Sequence, residues 1–255
     1  MTNSQPSIHL DLNPQNPAQF FACCGVFELA AMFANDASAS FHYDLFQPYK
    51  ADFELSYASK TLCEIVTLVK QATPTAIEES GEAPVTLNLS TESSLLLDWW
   101  LKPDRSGKSR FKLWAGNQTT AGLVRTMLAA LPDDADNTLF SANKKPMSGR
   151  FGLDPRSAWN TLDFGSSVNE QGRDAYTFPA AEMLSAIGLQ GFRPRRHHVR
   201  TRYKYYLWSK PLHVAAARAA VAGALPIAGQ LFSFTVEKRS GAYSCFSFAK
   251  PIQGE

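Results

Sequence analysis

Apolar and polar positions change period several times along the chain, and each change marks an element. In "SIHLDL" (7–12), Ile8, Leu10 and Leu12 alternate with polar residues, the period-two signature of a half-buried strand. "NPQNP" breaks that pattern. Asn16 is placed to cap a helix with Pro17 at its first position and Gln19 three residues on, a capping-box-like start to "AQFFACCGVFELAAMFA". Apolar residues nearly encircle this helix, so it belongs in the core. Gly25 inside it costs about 1 kcal/mol relative to alanine, which predicts that another backbone approaches closely there.

"ASFHYDLF" and "ADFELSY" read as two short strands around the turn-rich "QPYK". "SKTLCEIVTLVKQA" follows as an amphipathic helix with Leu62, Ile65, Val66 and Val69 on one side. Thr73 to Pro84 is polar and acidic and reads as an exposed loop, after which "VTLNLS" alternates as a strand and "LLLDWWL" extends the apolar run. "NQTTAGLVRTMLAAL" and "FPAAEMLSAIGL" read as helices, and "YKYYLW" as a strand. "PLHVAAARAAVAGAL" reads as an alanine-rich helix entered at Pro211. "LFSFTVEKRSGAYSCFSFA" is two strands about an "RSG" turn, a C-terminal β-hairpin. Helices and strands alternate irregularly and without repeats. The class is α+β, with mixed or antiparallel sheets, packed helices and a single unit over 1–255.

Charge divides that unit. Residues 1–100 carry 12 acids against Lys50, Lys60 and Lys70, while the remainder carries 22 bases against 11 acids, so an acidic half precedes a basic one within a net charge of +2. The basic half is the candidate for a polyanionic partner. The four cysteines (Cys23, Cys24, Cys63, Cys245) lack regular spacing, so neither a disulfide framework nor a zinc site is expected. The N-terminus lacks a basic and then apolar leader, and no run of about 18 apolar residues occurs. The expectation is a cytoplasmic protein without membrane contact.

The densest basic run, "FRPRRHHVRTRYKYYLW" (192–208), holds Arg193, Arg195, Arg196, Arg200, Arg202 and Lys204, with His197 and His198 adjacent. Its cations can neutralise phosphates, and Tyr203, Tyr205 and Tyr206 offer faces for stacking bases if exposed. Further bases fall in two loops: Lys102, Arg105, Lys108, Arg110 and Lys112, and Lys144, Lys145, Arg150 and Arg156. Convergence of the three loops would make one groove. The tryptophans Trp99, Trp100, Trp114, Trp159 and Trp208 read as packing anchors.

Catalytic chemistry is less supported. There is no G-x-S-x-G elbow, P-loop, C-x-x-C or H-x-x-x-H pair, and no cofactor or metal is implied. Adjacent residues on a strand point to opposite faces, so His197 and His198 are poor joint ligands. A histidine beside Arg, Lys and Tyr could still serve metal-free RNA cleavage, and the other alternative is a purely structural scaffold whose aromatics bind protein neighbours while the basic loops merely solvate it. Asp154 before Pro155 reads as closing a turn.

Five segments, "LDLNPQNPAQFFACCGVFELA", "GRFGLDPRSAWNTLDFGSSVNEQG", "FPAAEMLSAIGLQGFRPR", "YKYYLWSKPLHVAAARAA" and "FSFTVEKRSGAYSCFSFAKP", resemble in that order a small-subunit family of type I-U (also called I-G) CRISPR-Cas systems. The resemblance spans most of the chain apart from the acidic stretch near 73–84. It implies a subunit of a Cascade-like surveillance complex in antiviral defence, with guide RNA, target DNA and other Cascade subunits as partners. Its role would be RAMP-type, with ferredoxin-like elements, or large-subunit-like. In such complexes base pairing reads sequence while protein holds the backbone. No catalytic residue set carries over.

Overall fold

The computed structural model describes residues 7–44, 46–56, 59–77, 84–98, 118–147, 149–157, 176–199, 201–240 and 243–252. Among them six α-helices and fourteen strands form an α+β arrangement with antiparallel sheets. Strands β1 (Ser7–Leu12), β2 (Ser38–Tyr43), β3 (Ala51–Ser56) and β11 (Leu212–His213) make one sheet in the order β1-β3-β2-β11. A second sheet runs β13 (Tyr243–Phe246), β12 (Gly229–Ser240), β10 (Arg202–Trp208), β9 (Arg195–Arg196), with β14 (Lys250–Ile252) also on β12. The third sheet is β4 (Thr73–Ala76), β5 (Val85–Asn88) and β6 (Ser94–Leu97), so the first residues of the expected acidic loop are a strand instead. Thr75 opposite Thr86 suits the solvated face of that sheet, and polarity alone concealed it. β7 (Lys145–Pro146) and β8 (Tyr176–Thr177) pair separately.

Helix α1 (Pro17–Ala31) runs through the centre, buried along nearly its whole length as its all-round apolar sequence demands. Asn16 caps it, accepting from the amides of Ala18 at 3.0 Å and Gln19 at 3.4 Å. Gln19 does not close a capping box: its Oε1 accepts from the Asn13 amide at 2.6 Å and ties down the preceding turn. The reciprocal box lies at α2 (Leu62–Lys70), between Thr61 and Glu64. Leu62, Ile65, Val66 and Val69 form the buried side of α2 as their spacing predicts. Helices α3 (Thr120–Ala129) and α4 (Leu139–Ala142) follow, then α5 (Pro179–Gly191) and α6 (Val214–Val221). Pro211 precedes β11 rather than opening α6, because Leu212 and His213 pair with β2 first.

α1 and α5 cross at two glycines. A Cβ on Gly25 would lie 2.0 Å from the Leu184 carbonyl oxygen, and one on Gly188 2.0 Å from that of Phe21. The backbone approach predicted at Gly25 is therefore reciprocal. Around the crossing, Phe20 stacks on Tyr205 with ring centres 4.4 Å apart, and Trp208 meets Phe41 edge-on at 4.8 Å. The Trp208 indole donates to the Ala39 carbonyl at 2.7 Å, which joins the first two sheets. Trp208 is the packing anchor its type suggested; Trp99, Trp100, Trp114 and Trp159 lie outside the described residues.

Buried polar groups explain three of the quoted segments together. The Glu182 carboxylate near the start of α5 accepts from the amides of Phe151, Gly152, Leu153 and Asp154 at 3.0–3.3 Å. Gly152 takes φ +87°, the left-handed region open to glycine, so that three successive amides can face one oxygen. Asp154 accepts from the Asn16 side chain at 3.0 Å and from the Arg156 guanidinium at 2.6 Å. "NPQNP", "GRFGLDPR" and "FPAAEM" thus interlock through Asn16, Asp154, Arg156 and Glu182.

Burial first, and then the neighbouring Asp154, push the Glu182 carboxyl up to about 7, against the lowering effect of its amide partners and Arg150. A folded-state value above the ordinary 4.5 means the folded protein binds the extra proton between those limits. Stability from this group is full below about pH 4.5 and lost as pH rises through about 7. Glu182→Gln removes that slope and places an amide donor against backbone donors. Denaturant midpoints should show the variant less stable, with the deficit to wild type narrowing from pH 5 to pH 7.5. A deficit that widens with pH would contradict the assignment.

Candidate nucleic-acid interface

β10 alternates around the core. Tyr203, Tyr205 and Leu207 face inward, where Tyr205 is fully buried and its hydroxyl donates to the Pro14 carbonyl at 2.5 Å. Tyr206 is half-buried and donates to the Ile227 carbonyl at 2.6 Å. The aromatic faces that sequence offered for base stacking are therefore engaged in packing.

The opposite face of the same strand carries charge only in its first half, at Arg202 and Lys204, and gives way to half-buried Tyr206 and fully buried Trp208. Arg195 opposes Lys204, Lys204 opposes Ser233, and Ser233 opposes Lys250, so the four lie in one row across β9, β10, β12 and β14. Directly opposed residues of antiparallel strands share a face. At strand spacing the row spans about 14 Å from Arg195 to Lys250. One step along, Arg202 opposes Thr235, and its carbonyl accepts from the His197 amide at 2.9 Å. Arg193, Arg195, Arg196, Arg202 and Lys250 are exposed, whereas Lys204 is 8% exposed. Arg196 opposes Tyr203 and so belongs to the other side of the sheet edge.

Lys250 was not singled out by sequence, because it sits alone after "FSFA". A bulge brings it here. Val236 opposes Phe246, yet Ser233 opposes Lys250, so Ser247 to Ala249 hold one residue more than the stretch of β12 they face. A shift of one residue exchanges the two faces of a strand. Without it Lys250 would point toward the core.

His197 and His198 sit in the turn leading to β10, with ring centres 3.7 Å apart, rather than pointing apart as on a strand. His197 Nδ1 accepts from the Val199 amide at 3.3 Å, and His198 is exposed. Arg200 lies outside the described residues, as do Lys102, Arg105, Lys108, Arg110 and Lys112.

The remaining bases are placed elsewhere. The Lys144 ammonium lies 4.4 Å from the centre of the Tyr176 ring. Lys144 and Lys145 line a cleft of about 290 Å³ with Asp134 and Asp136. The Lys70 ammonium, bonded to Asp133 at 2.5 Å, holds that carboxyl below its usual range, with a smaller contribution from Lys145. Arg150 is half-buried and acts on Glu182. Arg156 lies 3.4 Å over the Phe178 ring and is bonded to Asp154. This second basic loop serves local acids and packing.

The charge division along the chain is also a division between sheets. On the outer face of the first sheet His9 opposes Glu54, and Asp52 lies between Asp11 and His42. His42 Nε2 is 3.1 Å from Glu54.

Among the described residues no three His, Cys, Asp or Glu are gathered to hold a metal ion, and no helix is long and apolar enough to cross a membrane. Cys23 and Cys24 are fully buried in α1, and burial pushes both thiols well above their usual range. That is the reverse of an activated nucleophile. No family model, curated protein or solved structure matches this chain.

Proposed function

We propose that this chain is a non-enzymatic, nucleic-acid-binding subunit that holds the sugar-phosphate backbone of guide RNA or target DNA in a CRISPR surveillance ribonucleoprotein of the cytoplasm. The backbone-holding part rests on Arg195, Arg202 and Lys250, exposed on one side of the second sheet, with Lys204 buried between them in the row Arg195–Lys204–Ser233–Lys250. Guanidinium and ammonium groups at strand spacing engage phosphates without reading bases. The surveillance-complex part rests on the ordered segments that resemble the type I-U family.

Arg195, Arg202 and Lys250, each engaging one phosphate of a single strand, give a log–log salt slope of about −2.1. Lys250→Ala should reduce its magnitude by about 0.7, measured by anisotropy of a labelled oligonucleotide across a salt series. An unchanged slope removes Lys250 from the interface. The same reading expects repeat RNA to stay intact in chelator. Cleavage that disappears in a His197→Ala, His198→Ala variant would replace it with the endoribonuclease alternative.

A further inference from the structure

Two of the most exposed apolar side chains stand together on the turn between β2 and β3. Phe46 is 94% exposed and Tyr49 69%. Their turn is well bonded: the Phe46 amide donates to the Asp44 side chain at 2.8 Å, the Gln47 amide to the Asp44 carbonyl at 3.0 Å, and the Lys50 amide to the Gln47 carbonyl at 2.9 Å. An Asx turn followed by a second turn thus holds both rings away from the core.

The turn abuts the Lys250 end of the cationic face. Gln15 links them: its side chain donates to the Pro48 carbonyl at 3.2 Å, and its own carbonyl accepts from the Ala249 amide at 2.7 Å. At the base of the turn Tyr43 packs edge-on against Phe232 at 5.7 Å, on the core side of β12, away from the side that carries Ser233 and the row. Phe248, in the bulge that aims Lys250, is 47% exposed. Through Gln15 the turn that carries the rings lies next to the Lys250 end of the row, where Lys50 and Lys250 are exposed and complementary in charge to phosphate, with Asp44 also exposed in the turn.

We propose that Phe46 and Tyr49 are a base-stacking platform that makes the ligand of this site a single-stranded nucleic acid, an inference that rests on the backbone-holding reading above. A cationic track bordered by exposed aromatics is the arrangement that holds single strands, because unpaired bases can leave their neighbours and lie on a ring. A duplex keeps those faces inside its own stack. The cations contribute to binding either form, and the rings distinguish them.

The test uses the full chain with a labelled 20-nucleotide oligothymidylate or oligouridylate and with a duplex of equal length. Phe46→Ala, Tyr49→Ala should weaken single-strand binding at least tenfold, about 1.4 kcal/mol, while leaving duplex affinity and the salt slope as in wild type. Phe46→Trp, Tyr49→Trp should restore single-strand binding. Equal loss on both ligands, no loss on either, or failure of the tryptophan variant overturns the proposal; no loss on either would mark the rings as a protein contact. The backbone-holding reading fails separately, if removing Arg195, Arg202 and Lys250 leaves binding of both ligands intact.

Discussion

Gly25→Ala should destabilise the protein by about 3 kcal/mol, the upper end of the usual range for overfilling a packed core. The new methyl would sit 2.0 Å from the Leu184 carbonyl oxygen and 2.9 Å from its carbon, so helix backbone, not a flexible side chain, must yield. Alanine's better helix propensity offsets about 1 kcal/mol, far less than the clash. Separating α1 from α5 also disturbs the aromatic cluster around Phe20 and Tyr205, whose contacts depend on the position of α1. Gly188→Ala should cost a similar amount for the mirror-image reason. The double variant should cost less than the sum, since helices already separated by one methyl leave room for the second. Urea midpoints of the three variants would show it. A single-variant loss below about 1 kcal/mol would mean the helices slide apart without penalty, contrary to close packing of protein interiors.

Reversing Arg195, Arg202 and Lys250 together to glutamate should lower nucleic-acid affinity at least 100-fold near physiological salt, about 2.7 kcal/mol. Each reversal removes a phosphate partner and adds a repulsive charge, and the three take the net charge from +2 to −4. All three side chains are exposed, so melting temperature should move little. Lys144→Glu, Lys145→Glu changes charge by four units on a different sheet beside Asp134 and Asp136, and should leave binding nearly unaltered. Measuring both variants separates a local cationic face from a general effect of net charge. Triple-variant affinity within threefold of wild type would sink the interface.

Much of the fold was legible locally. β1, α1, α2 and the C-terminal hairpin follow from periods of two and 3.6 and from capping residues such as Asn16, signals complete within a dozen neighbouring positions. β4 was missed because a short polar strand with solvent on one face carries no apolar alternation. Gln19 matched a capping-box spacing, but a preceding turn competed for its carbonyl oxygen and won. The site was legible in part: Arg193, Arg195, Arg196 and Arg202 are exposed on or beside the β9–β10 hairpin. Tyr203 and Tyr205 read equally well as stacking faces or core, since an aromatic strand suits either, and the core took them.

Sequence by itself determined an α+β chain with a buried first helix, a backbone approach at Gly25, and an acidic half followed by a basic one. Those properties depend on local pattern and on sums over residues, which need no knowledge of partners. Tertiary structure decided which charges act together. It set Arg195, Lys204 and Lys250 in one row, turned Arg156 and Arg150 toward buried carboxylates, and placed the Phe46–Tyr49 turn beside Lys250. The register joining Lys250 to Ser233 depends on one extra residue at Ser247–Ala249, and whether that bulge forms is settled by packing of the whole sheet. A one-residue shift leaves composition and local periodicity almost untouched yet exchanges the faces of a strand.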